Sequence, residues 1–404
     1  MSFNIAMTGL NAASEQLATT SNNIANANTT GFKSSRTEFG SVYADTQAMG
    51  VEVLGTTQSI SLGGTLINTS RTLDLALSGT GFFMVQDATG ETQYTRAGVF
   101  GLDTNGNIVN KSGQKLQGHP TNANGELMFD TVAELRIRTA NLPAKATEAI
   151  EFVANLDANA TAPAAPFNPA VLSSYNSTYT TKVYDSLGKE HTLTQYFVSD
   201  GANNWDAYYY IDGIEVSGTT PPTPQTLTFD VNGMLDPTTP VPVPVAMPAA
   251  AIPGANPAQS IAIDYTGTTQ YGTNFGVYTN LADGYTSGEQ TGLGIDSKGN
   301  VFANYSNGQS QLQGQIVLAR FINPEGLKSV SGTSWTSTNE SGEPLTGSPG
   351  VAQFGTVNAG ALENSNVDLT EELVNLMQGQ RSYQANTKVI STQKDLDQIL
   401  FSAM

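Results

Sequence analysis

Apolar side chains recur at alternating steps of three and four residues at both ends of this 404-residue chain, whereas the sequence between the ends is typical of short strands and turns. At the start, this spacing predicts a coiled-coil-like helix with one narrow apolar stripe. The stripe consists of Phe3, Ala6, Leu10, Ala13, Leu17, Thr20, Ile24 and Ala27. One stripe cannot bury itself, because a helix in water is stabilised mainly by packing its apolar face against another element.

The end of the chain carries two further stripes of this kind, separated by a shift of phase. The first holds Leu369, Leu373, Leu376 and Tyr383, and the second holds Ala385, Val389, Thr392, Leu396 and Ile399. The pattern therefore predicts a second terminal helix. Since the β-rich middle offers no obvious helical partner, we expect the two helices to pack on each other or on further copies of the chain.

Turn chemistry organises the middle of the chain, where five pairs of an Asp and a Gly three residues later indicate turns between β-forming segments. The pairs are Asp87 and Gly90, Asp103 and Gly106, Asp185 and Gly188, Asp230 and Gly233, and Asp296 and Gly299. An Asp that opens a type I turn accepts hydrogen bonds from the turn backbone, and a left-handed Gly at the fourth position starts the return strand. Each pair predicts a hairpin tip.

One part of the middle differs in composition from the rest. Residues 221–257 hold ten of the eighteen prolines, a density that excludes helix and central strand and predicts loop or sheet edge. The segments 179–184, 191–198 and 205–211 are typical of strands. We therefore expect a separate β domain inserted into another one.

The predicted fold is mostly β with terminal α-helices, with nested β domains on a coiled-coil-like helical base formed by both chain ends. We expect a terminal helical domain at 1–30 and 366–404, extended connecting arms at 31–75 and 350–365, a β domain at 76–144 and 285–349, and an inserted outer β domain at 145–284.

Composition excludes several classes of function. The chain has 17 basic and 35 acidic residues, for a formal charge of -18, whereas nucleic acid and anionic membranes are bound through Lys and Arg. The absence of Cys excludes disulfides, thiolate catalysis and Cys-ligated metals. No stretch approaches the roughly 20 apolar residues that cross a bilayer, and no charged segment precedes an early apolar run, as in a cleavable signal peptide. We expect neither nucleic acid binding nor membrane insertion.

Residues for catalysis are scarce. The two histidines, His119 and His191, are typical of ordinary sheet or surface positions, and without Cys they do not predict a zinc site. Residues 103–114 superficially follow a calcium loop, but Gly106 stands at the fourth position rather than the sixth, and Gln114 replaces the bidentate Glu. The sequence has no nucleophile elbow, phosphate loop or dinucleotide fingerprint. We expect no catalytic, cofactor or metal site.

Paired motifs at the two ends resemble the signatures of a known family, the rod and hook axial proteins of the bacterial flagellum. The N-terminal motif consists of Asn22, Asn23, Ile24, Ala25 and Asn26, followed by Gly31, Phe32 and Lys33. The C-terminal motif consists of Ser-Asn-Val-Asp-Leu at 365–369, Glu-Leu-Val-Asn-Leu at 372–376 and Gln-Arg-Ser-Tyr-Gln-Ala-Asn at 380–386. The segments 80–83, 94–98 and 304–319 are similar to hook subunits in particular.

The resemblance implies a structural subunit that leaves the cell through the flagellar type III export apparatus and stacks helically into a short curved tube. Such a tube acts as an extracellular universal joint between motor and filament. The implied partners are other copies of the chain, the distal rod protein, the hook–filament junction protein, the hook cap protein and the export apparatus. Within the family, a distal rod subunit is the alternative, but the length and nested domains favour the hook.

In this interpretation the apolar stripes form the polymerisation interface between copies, and residues 22–33 join helix and arm. The predicted interface residues are Phe3, Leu10, Leu17 and Ile24 in the first helix and Leu369, Leu373, Leu376, Tyr383, Val389, Leu396 and Ile399 in the second. The alternative outside the family is an extracellular adhesin or carbohydrate-binding module with an aromatic platform at Trp205 and Tyr208–Tyr210. Because strand residues alternate, Tyr208 and Tyr210 should share one face and Tyr209 the other.

Overall fold

The computed structural model describes residues 2–44, 47–122, 125–219 and 221–403. The chain divides into two compact units. Unit 1 comprises Met1–Thr139, Thr291–Asn304 and Ser310–Met404, and unit 2 comprises Ala140–Gln290 and Tyr305–Gln309. Among the described residues, no helix combines the length and apolar character needed to cross a membrane.

Unit 1 contains the terminal helices, α1 (Ser2–Ala25) and α2 (Leu369–Ala403), and they pack together as the apolar spacing predicts. Helix α2 begins where Asp368 accepts hydrogen bonds at Oδ1 from the backbone N–H groups of Thr370 and Glu371, at 2.8 and 3.3 Å. The acidic side chains of its first turn lie at the positive end of the helix dipole.

The strands are numbered along the chain. Before unit 2 they are β1 (Ser35–Ala44), β2 (Gln47–Gln58), β3 (Leu66–Asn68), β4 (Leu75–Ser78), β5 (Phe82–Gln86), β6 (Thr92–Thr95), β7 (Phe100–Leu102), β8 (Ile108–Asn110), β9 (Lys115–Pro120) and β10 (Ala133–Glu134). Within unit 2 they are β11 (Ala149–Asp157), β12 (Ser177–Tyr184), β13 (Glu190–Ser199), β14 (Asn204–Ile211), β15 (Ile214–Glu215), β16 (Gln225–Thr228), β17 (Val243–Ala246), β18 (Ser260–Asp264), β19 (Thr269–Tyr271) and β20 (Gly276–Ala282).

The chain then returns to unit 1. Its remaining strands are β21 (Gln290–Ile295), β22 (Asn300–Tyr305), β23 (Ser310–Ile316), β24 (Leu318–Arg320), β25 (Lys328–Val330), β26 (Ser334–Thr336), β27 (Leu345–Gly347), β28 (Thr356–Ala359) and β29 (Ala361–Glu363). Short 3-10 turns lie at Leu172–Ser174 and Pro324–Gly326.

The main sheet of unit 1 runs in the order β21-β22-β23-β9-β5-β6-β26-β25, so three strands from before the insertion lie between two groups of strands from after it. Its buried core includes Phe83, Phe100, Leu116 and Ile316. Strand β28 pairs with β4, and β29 pairs with β3. The returning chain therefore runs beside the segment that leaves the first helix.

Residues 31–75, expected as an extended arm, fold back over part of their length. Strands β1 and β2 form a long antiparallel hairpin with two register shifts, and the hairpin packs against α1. The sequence pattern does not reveal this hairpin, because Gly40, Gly50 and Gly55 and many polar side chains interrupt the alternation that marks a strand.

Unit 2 is built from two sheets, one in the order β17-β18-β11-β19 with β20 beside β11, and one in the order β12-β13-β14-β15 with β16 beside β14. Its core includes the aromatic side chains of Phe152, Phe197, Trp205 and Tyr265. The proline-rich segment supplies β16, which pairs only with β14 among the assigned strands, and β17, which lies at a sheet edge. The prediction that this segment forms loops and sheet edges is confirmed.

All five predicted hairpin tips are confirmed. Each Gly has a positive φ, between 74° and 89°, and its N–H donates to the carbonyl of the Asp three residues earlier. Each Asp carboxylate also accepts from backbone N–H groups two and four residues later. The short polar side chain and the left-handed Gly thus set the turn together.

At two of these tips, replacing Gly by Ala separates two effects on the free energy of unfolding: the strain of a positive φ and a steric clash of the added Cβ. A Cβ on Gly90 (φ 89°) meets open space, with its nearest atom 4.0 Å away, whereas a Cβ on Gly106 (φ 82°) falls 2.5 Å from the carbonyl oxygen of Ile137. We expect Gly90→Ala to lower the free energy of unfolding of unit 1 by about 1 kcal/mol and Gly106→Ala by about 2 to 4 kcal/mol.

Urea unfolding followed by Trp335 fluorescence measures this difference, with Trp205 of unit 2 replaced by Phe in every chain. Trp335 is 2 % exposed in unit 1 and reports on its core. Equal losses for the two variants would contradict the turn geometry.

Candidate functional site: the paired chain ends

Helices α1 and α2 run antiparallel in close contact. Asn23 donates from Nδ2 to Oε1 of Glu372 at 2.7 Å, and a Cβ on Gly379 would fall 2.9 Å from Cδ2 of Leu17. A Cβ on Gly9 would likewise fall 2.9 Å from the side-chain amide of Asn386. Glycine on each helix therefore lets a larger side chain of the other helix lie directly over its backbone.

The side chains that α1 buries are small or polar: Ala6, Ala12, Ala13, Thr20 and Asn23. The hairpin covers a second side of the helix, where Thr37 donates to Oγ1 of Thr19 at 2.9 Å and Oγ1 of Thr8 accepts from the N–H of Val51 at 3.3 Å. Helix α1 thus lies between α2 and the hairpin, held by close backbone approach and hydrogen bonds more than by large apolar side chains.

The predicted interface residues remain largely uncovered within one chain. Exposed fractions are 41 % for Phe3, 45 % for Leu369, 50 % for Leu373, 38 % for Tyr383, 47 % for Val389, 52 % for Leu396 and 63 % for Ile399. Leu10, Leu17, Ile24 and Leu376 are half-buried. The pairing of α1 with α2 therefore leaves most of the apolar stripes facing outwards, where water is a poor partner for them.

The N-terminal motif surrounds the junction between helix and hairpin. Buried Asn23 bonds in both directions with the backbone of Ser35, and it also reaches Glu372 at the start of α2. Asn26 donates to the backbone carbonyl of Asn22 and closes the helix end. Asn22 and Ala25 are exposed, whereas Ile24, Asn26 and Phe32 are half-buried.

Gly31 lies where the chain leaves this junction and meets the β-sheet of unit 1. Its φ is +71°, and a Cβ would fall 2.6 Å from the backbone nitrogen of Ala97. Its N–H donates to the carbonyl of Glu363 at 2.8 Å. Both the conformation and the space therefore require glycine.

Lys33, Glu363 and Arg96 form a buried ionic cluster at this point, which we call the charge node. Lys33 Nζ lies 2.7 Å from Oε1 of Glu363, and Arg96 Nη1 lies 3.1 Å from Oε2, with all three side chains almost inaccessible to water. Lys33 also donates to the carbonyl of Leu62 at 2.6 Å. Oε1 of Glu363 also accepts from the N–H of Gly64 at 3.0 Å.

Burial lowers the pKa of Lys33 from its ordinary value, and the opposing attraction and hydrogen bond come from Glu363. Burial lowers the pKa of Arg96 as well, again opposed by Glu363. Each cation is thus retained in a poorly solvated site by the same carboxylate. Because Lys33 follows α1, Arg96 lies in the β-sheet region and Glu363 precedes α2, the node ties three separate parts of unit 1 together.

The sequence motifs include Lys33 and, within the segment 94–98, Arg96, but none of them includes Glu363. Glu363 lies in the short strand β29 on the same face as the buried Ala361, two residues earlier. This position is the signal in the sequence that could have identified Glu363 as a buried acidic residue. An acidic side chain at a core position needs a buried partner, and this requirement points to one of the few basic residues of the chain.

Side chains that could act in acid–base catalysis or bind a metal ion do not form a site at the paired chain ends. Among the described residues, no group of three or more His, Cys, Asp or Glu side chains could hold a metal ion. His119 and His191 are both buried in strands of the sheets. His191 lies between Oδ2 of Asp185 (3.3 Å) and Oδ2 of Asp212 (2.7 Å). Burial opposes ionisation of Asp185, but hydrogen bonds from the turn backbone and from His191 outweigh it and lower its pKa.

The aromatic cluster of unit 2 is divided between two faces of β14, as the alternation predicts. Trp205 and Tyr209 belong to the core, whereas Tyr208 and Tyr210 face the other side. Phe167 stacks on Tyr208 with ring centres 3.9 Å apart. Since Phe167 of the same unit covers that ring and Tyr210 is buried, this half of the cluster does not offer an open stacking platform.

Four families match successive segments of the chain. Their descriptions are "Flagella basal body rod protein" (residues 3–33), "Flagellar hook protein FlgE/F/G D1 domain" (76–152), "Flagellar basal body protein FlaE D2 domain" (155–285) and "Flagellar basal body rod FlgEFG protein C-terminal" (358–403). The terminal matches include α1 from Phe3 onwards and the whole of α2.

Full-length relatives carry one name. The chain is 39% identical to the flagellar hook protein FlgE of Escherichia coli over 409 residues, and 40% identical to that of Salmonella typhimurium over 407 residues. Each alignment covers 99% of this chain and 98% of the relative. The protein of the same name from Rhizobium meliloti is 36% identical and covers 98% of this chain and 96% of its own length.

A solved structure shares the fold. The crystal structure of Helicobacter pylori flagellar hook protein FlgE2 matches with a TM-score of 0.54 at 13% identity, covering 72% of this chain and 99% of that one. Identities of 36 to 40% over nearly the whole length, together with rod and hook family matches at both ends, show that the chain belongs to the flagellar hook protein family.

Proposed function

We propose that this chain is the structural subunit of the bacterial flagellar hook and that its copies polymerise helically into a curved tube. The observation that carries this proposal is the helix pair, whose apolar stripes remain exposed although α1 and α2 already pack on each other. Exposed apolar side chains in two terminal helices are stabilised when further copies cover them. The names of the full-length relatives support the same assignment.

The parts of the chain would have different roles in such a tube. The terminal helical domain, 1–30 and 366–404, would form a stiff inner layer, and the arms at 31–75 and 350–365 would join it to the β domain at 76–144 and 285–349. The inserted domain at 145–284 would lie outermost. Its polar surface of Asn, Thr, Ser and Gly favours many weak contacts with near-equal registers, which can slide as the tube bends.

The charge node fits the mechanical role of a hook subunit. Torque that enters through the helices has to pass into the β domain, and the node connects both helix-bearing segments to the sheet through short ionic hydrogen bonds. Its three charges are shielded from water and therefore from salt screening. We infer that the node fixes the direction in which the helix pair leaves unit 1.

We further propose that the chain lies outside the cell, between the distal rod protein and the hook–filament junction protein. It would arrive through the flagellar type III export apparatus and be added beneath a hook cap protein. The long separation of α1 and α2 along the chain supports this route, because each helix lacks its intramolecular partner until the other end has arrived.

Removal of the first twenty residues should abolish tube formation. The deletion removes most of α1, so α2 loses its partner within the chain and the stripe of Phe3, Leu10 and Leu17 is lost. We expect the shortened chain to remain soluble and to yield no tubes, whereas the full chain forms curved tubes. Electron microscopy and sedimentation of both preparations measure the outcome.

The fluorescence of Trp205, which is 1 % exposed in the core of unit 2, serves as the folding control for that deletion. An unchanged Trp205 signal, read with Trp335 replaced by Phe in both chains, shows that unit 2 still folds. Normal tubes from the shortened chain would refute the assignment of α1 to the polymerisation domain.

The charge node yields a stability prediction. Lys33→Met removes the cation 2.7 Å from Glu363 and leaves a buried carboxylate with less compensation. Breaking a buried pair in this way costs about 3 to 5 kcal/mol. We expect a loss of this size in urea unfolding of unit 1, followed through Trp335.

Two variants sharpen that measurement. Glu363→Gln alone leaves two buried cations, Lys33 and Arg96, without their carboxylate. Adding Lys33→Met removes one of these cations, so the double variant should lose less stability than the sum of the two single variants. The control is Arg36→Met, which breaks the exposed pair between Arg36 and Glu38 and should cause no measurable loss. A Lys33→Met chain as stable as Arg36→Met would exclude a structural role for the node.

A further inference from the structure

Helix α2 carries two separate apolar surfaces on different sides. We call Leu369, Leu373 and Met377 the early face, and Ala385, Val389 and Leu396 the late face. All six side chains are exposed, with exposed fractions of 45, 50 and 51 % for the early face and of 47 and 52 % for Val389 and Leu396. At 100° per residue, the mean directions of the two faces differ by roughly 140° around the helix.

The seam with α1 lies between these two directions. Gly379, which Leu17 covers, and Asn386, which lies over Gly9, mark that seam. On the helical wheel the early face lies roughly 120° to one side of the seam and the late face roughly 100° to the other. The two faces therefore flank α1 on opposite sides.

Each side of α2 is apolar over only half of its length. At the level of the early face, the direction of the late face is occupied by Glu371 and Gln378, and the exposed Val374 lies about 40° to one side of that direction. At the level of the late face, the direction of the early face is occupied by Gln384 and Ser391. A neighbour that lay along the whole of one side would meet polar side chains over half of the contact, so each face suits a neighbour that is displaced along the helix axis.

The symmetry of a growing tube decides how such faces pair. A face that docked on the same face of another copy would require a two-fold axis between the two copies, and such a contact closes a dimer instead of extending an open helix. Copies that all point the same way along an open helix must instead join through two different surfaces. The early and late faces are two such surfaces, each apolar and each on its own flank.

We propose that the early face of one copy docks on the late face of a neighbouring copy, a proposal that rests on the polymeric function proposed above. The occupant of each face is a second copy of this chain. Leu373 and Leu396 are separated by about 35 Å along α2. Their contact between copies therefore shifts neighbours by about this distance along the helices and builds a rising array instead of a flat ring.

The absence of Cys from the chain makes a direct test possible. In the chain with both Leu373→Cys and Leu396→Cys, each contact between an early and a late face brings two thiols together. We expect a short bismaleimide linker, applied to assembled tubes, to produce a ladder of covalent multimers on denaturing gels. The two cysteines of one chain lie too far apart on a continuous helix to be joined by that linker.

Matched variants separate this pairing from others. Tubes of Leu373→Cys alone, or of Leu396→Cys alone, should give no covalent dimers, and dimers in either would show that like faces pair and would overturn the proposal. In the second control, Ser391→Cys replaces Leu396→Cys beside Leu373→Cys. Ser391 is exposed at the same level of α2 but on the other side, so this chain should give no ladder.

The outcome for this pairing is distinct from the outcome for the proposed function. If the unmodified chain forms no tubes, the polymeric function fails. If tubes form and the chain with both Leu373→Cys and Leu396→Cys gives no ladder, or if the Ser391→Cys chain gives an equal one, the pairing of early and late faces fails while the polymer stands.

Discussion

One buried carboxylate constrains the arrangement of the chain ends. Glu363 lies in the short strand that precedes α2 and is 1 % exposed, so its charge has to be balanced where it stands. Lys33, which follows α1, and Arg96, which comes from the β-sheet region, supply that balance. Removing Glu363 leaves two cations without their carboxylate in a poorly solvated place, and removing either cation deprives the carboxylate of one of its two ionic partners. The start of the chain, its end and the sheet are thereby held at one point, and the direction of the helix pair follows from that point.

The helix pair itself is held in another way. Glycine at positions 9 and 379 brings the two backbones close, and Asn23 and Asn386 fill the space between them. This seam buries little of the large apolar surface of the two helices. The same sequence therefore satisfies two demands, a defined pair within one chain and an apolar exterior available to other copies. A seam made from the leucines would also have defined the pair within one chain, but it would have buried the apolar surface that other copies could contact.

Periodicity and turn chemistry predicted both helices, the nested β organisation and the five Asp and Gly tips, because each of these depends on residues close together in the sequence. The motifs near the two chain ends indicated the family. The hairpin at Ser35–Gln58 was missed, since its glycines and polar side chains weaken the alternation, and Glu363 was missed because its partners lie hundreds of residues away. The seam was not predictable either: the stripes predicted two amphipathic helices, but the close approach at Gly9 and Gly379 depends on their mutual register, which no local pattern encodes.

The antiparallel pairing of the first and last helices has a consequence for how this protein reaches its final form. The contacting residues of α1 and α2 are separated by almost the full length of the chain, which gives these contacts the highest sequence separation the molecule allows. Closing so long a loop is slow compared with local folding. If the chain passes through a narrow channel, as proposed above, the helix that emerges first has no intramolecular partner until the other end follows. Strands that are neighbours in the sequence, such as β12, β13 and β14, can pair before then. On this route the pairing of the two chain ends would be among the last contacts to form, when neighbouring copies of the proposed polymer are already present.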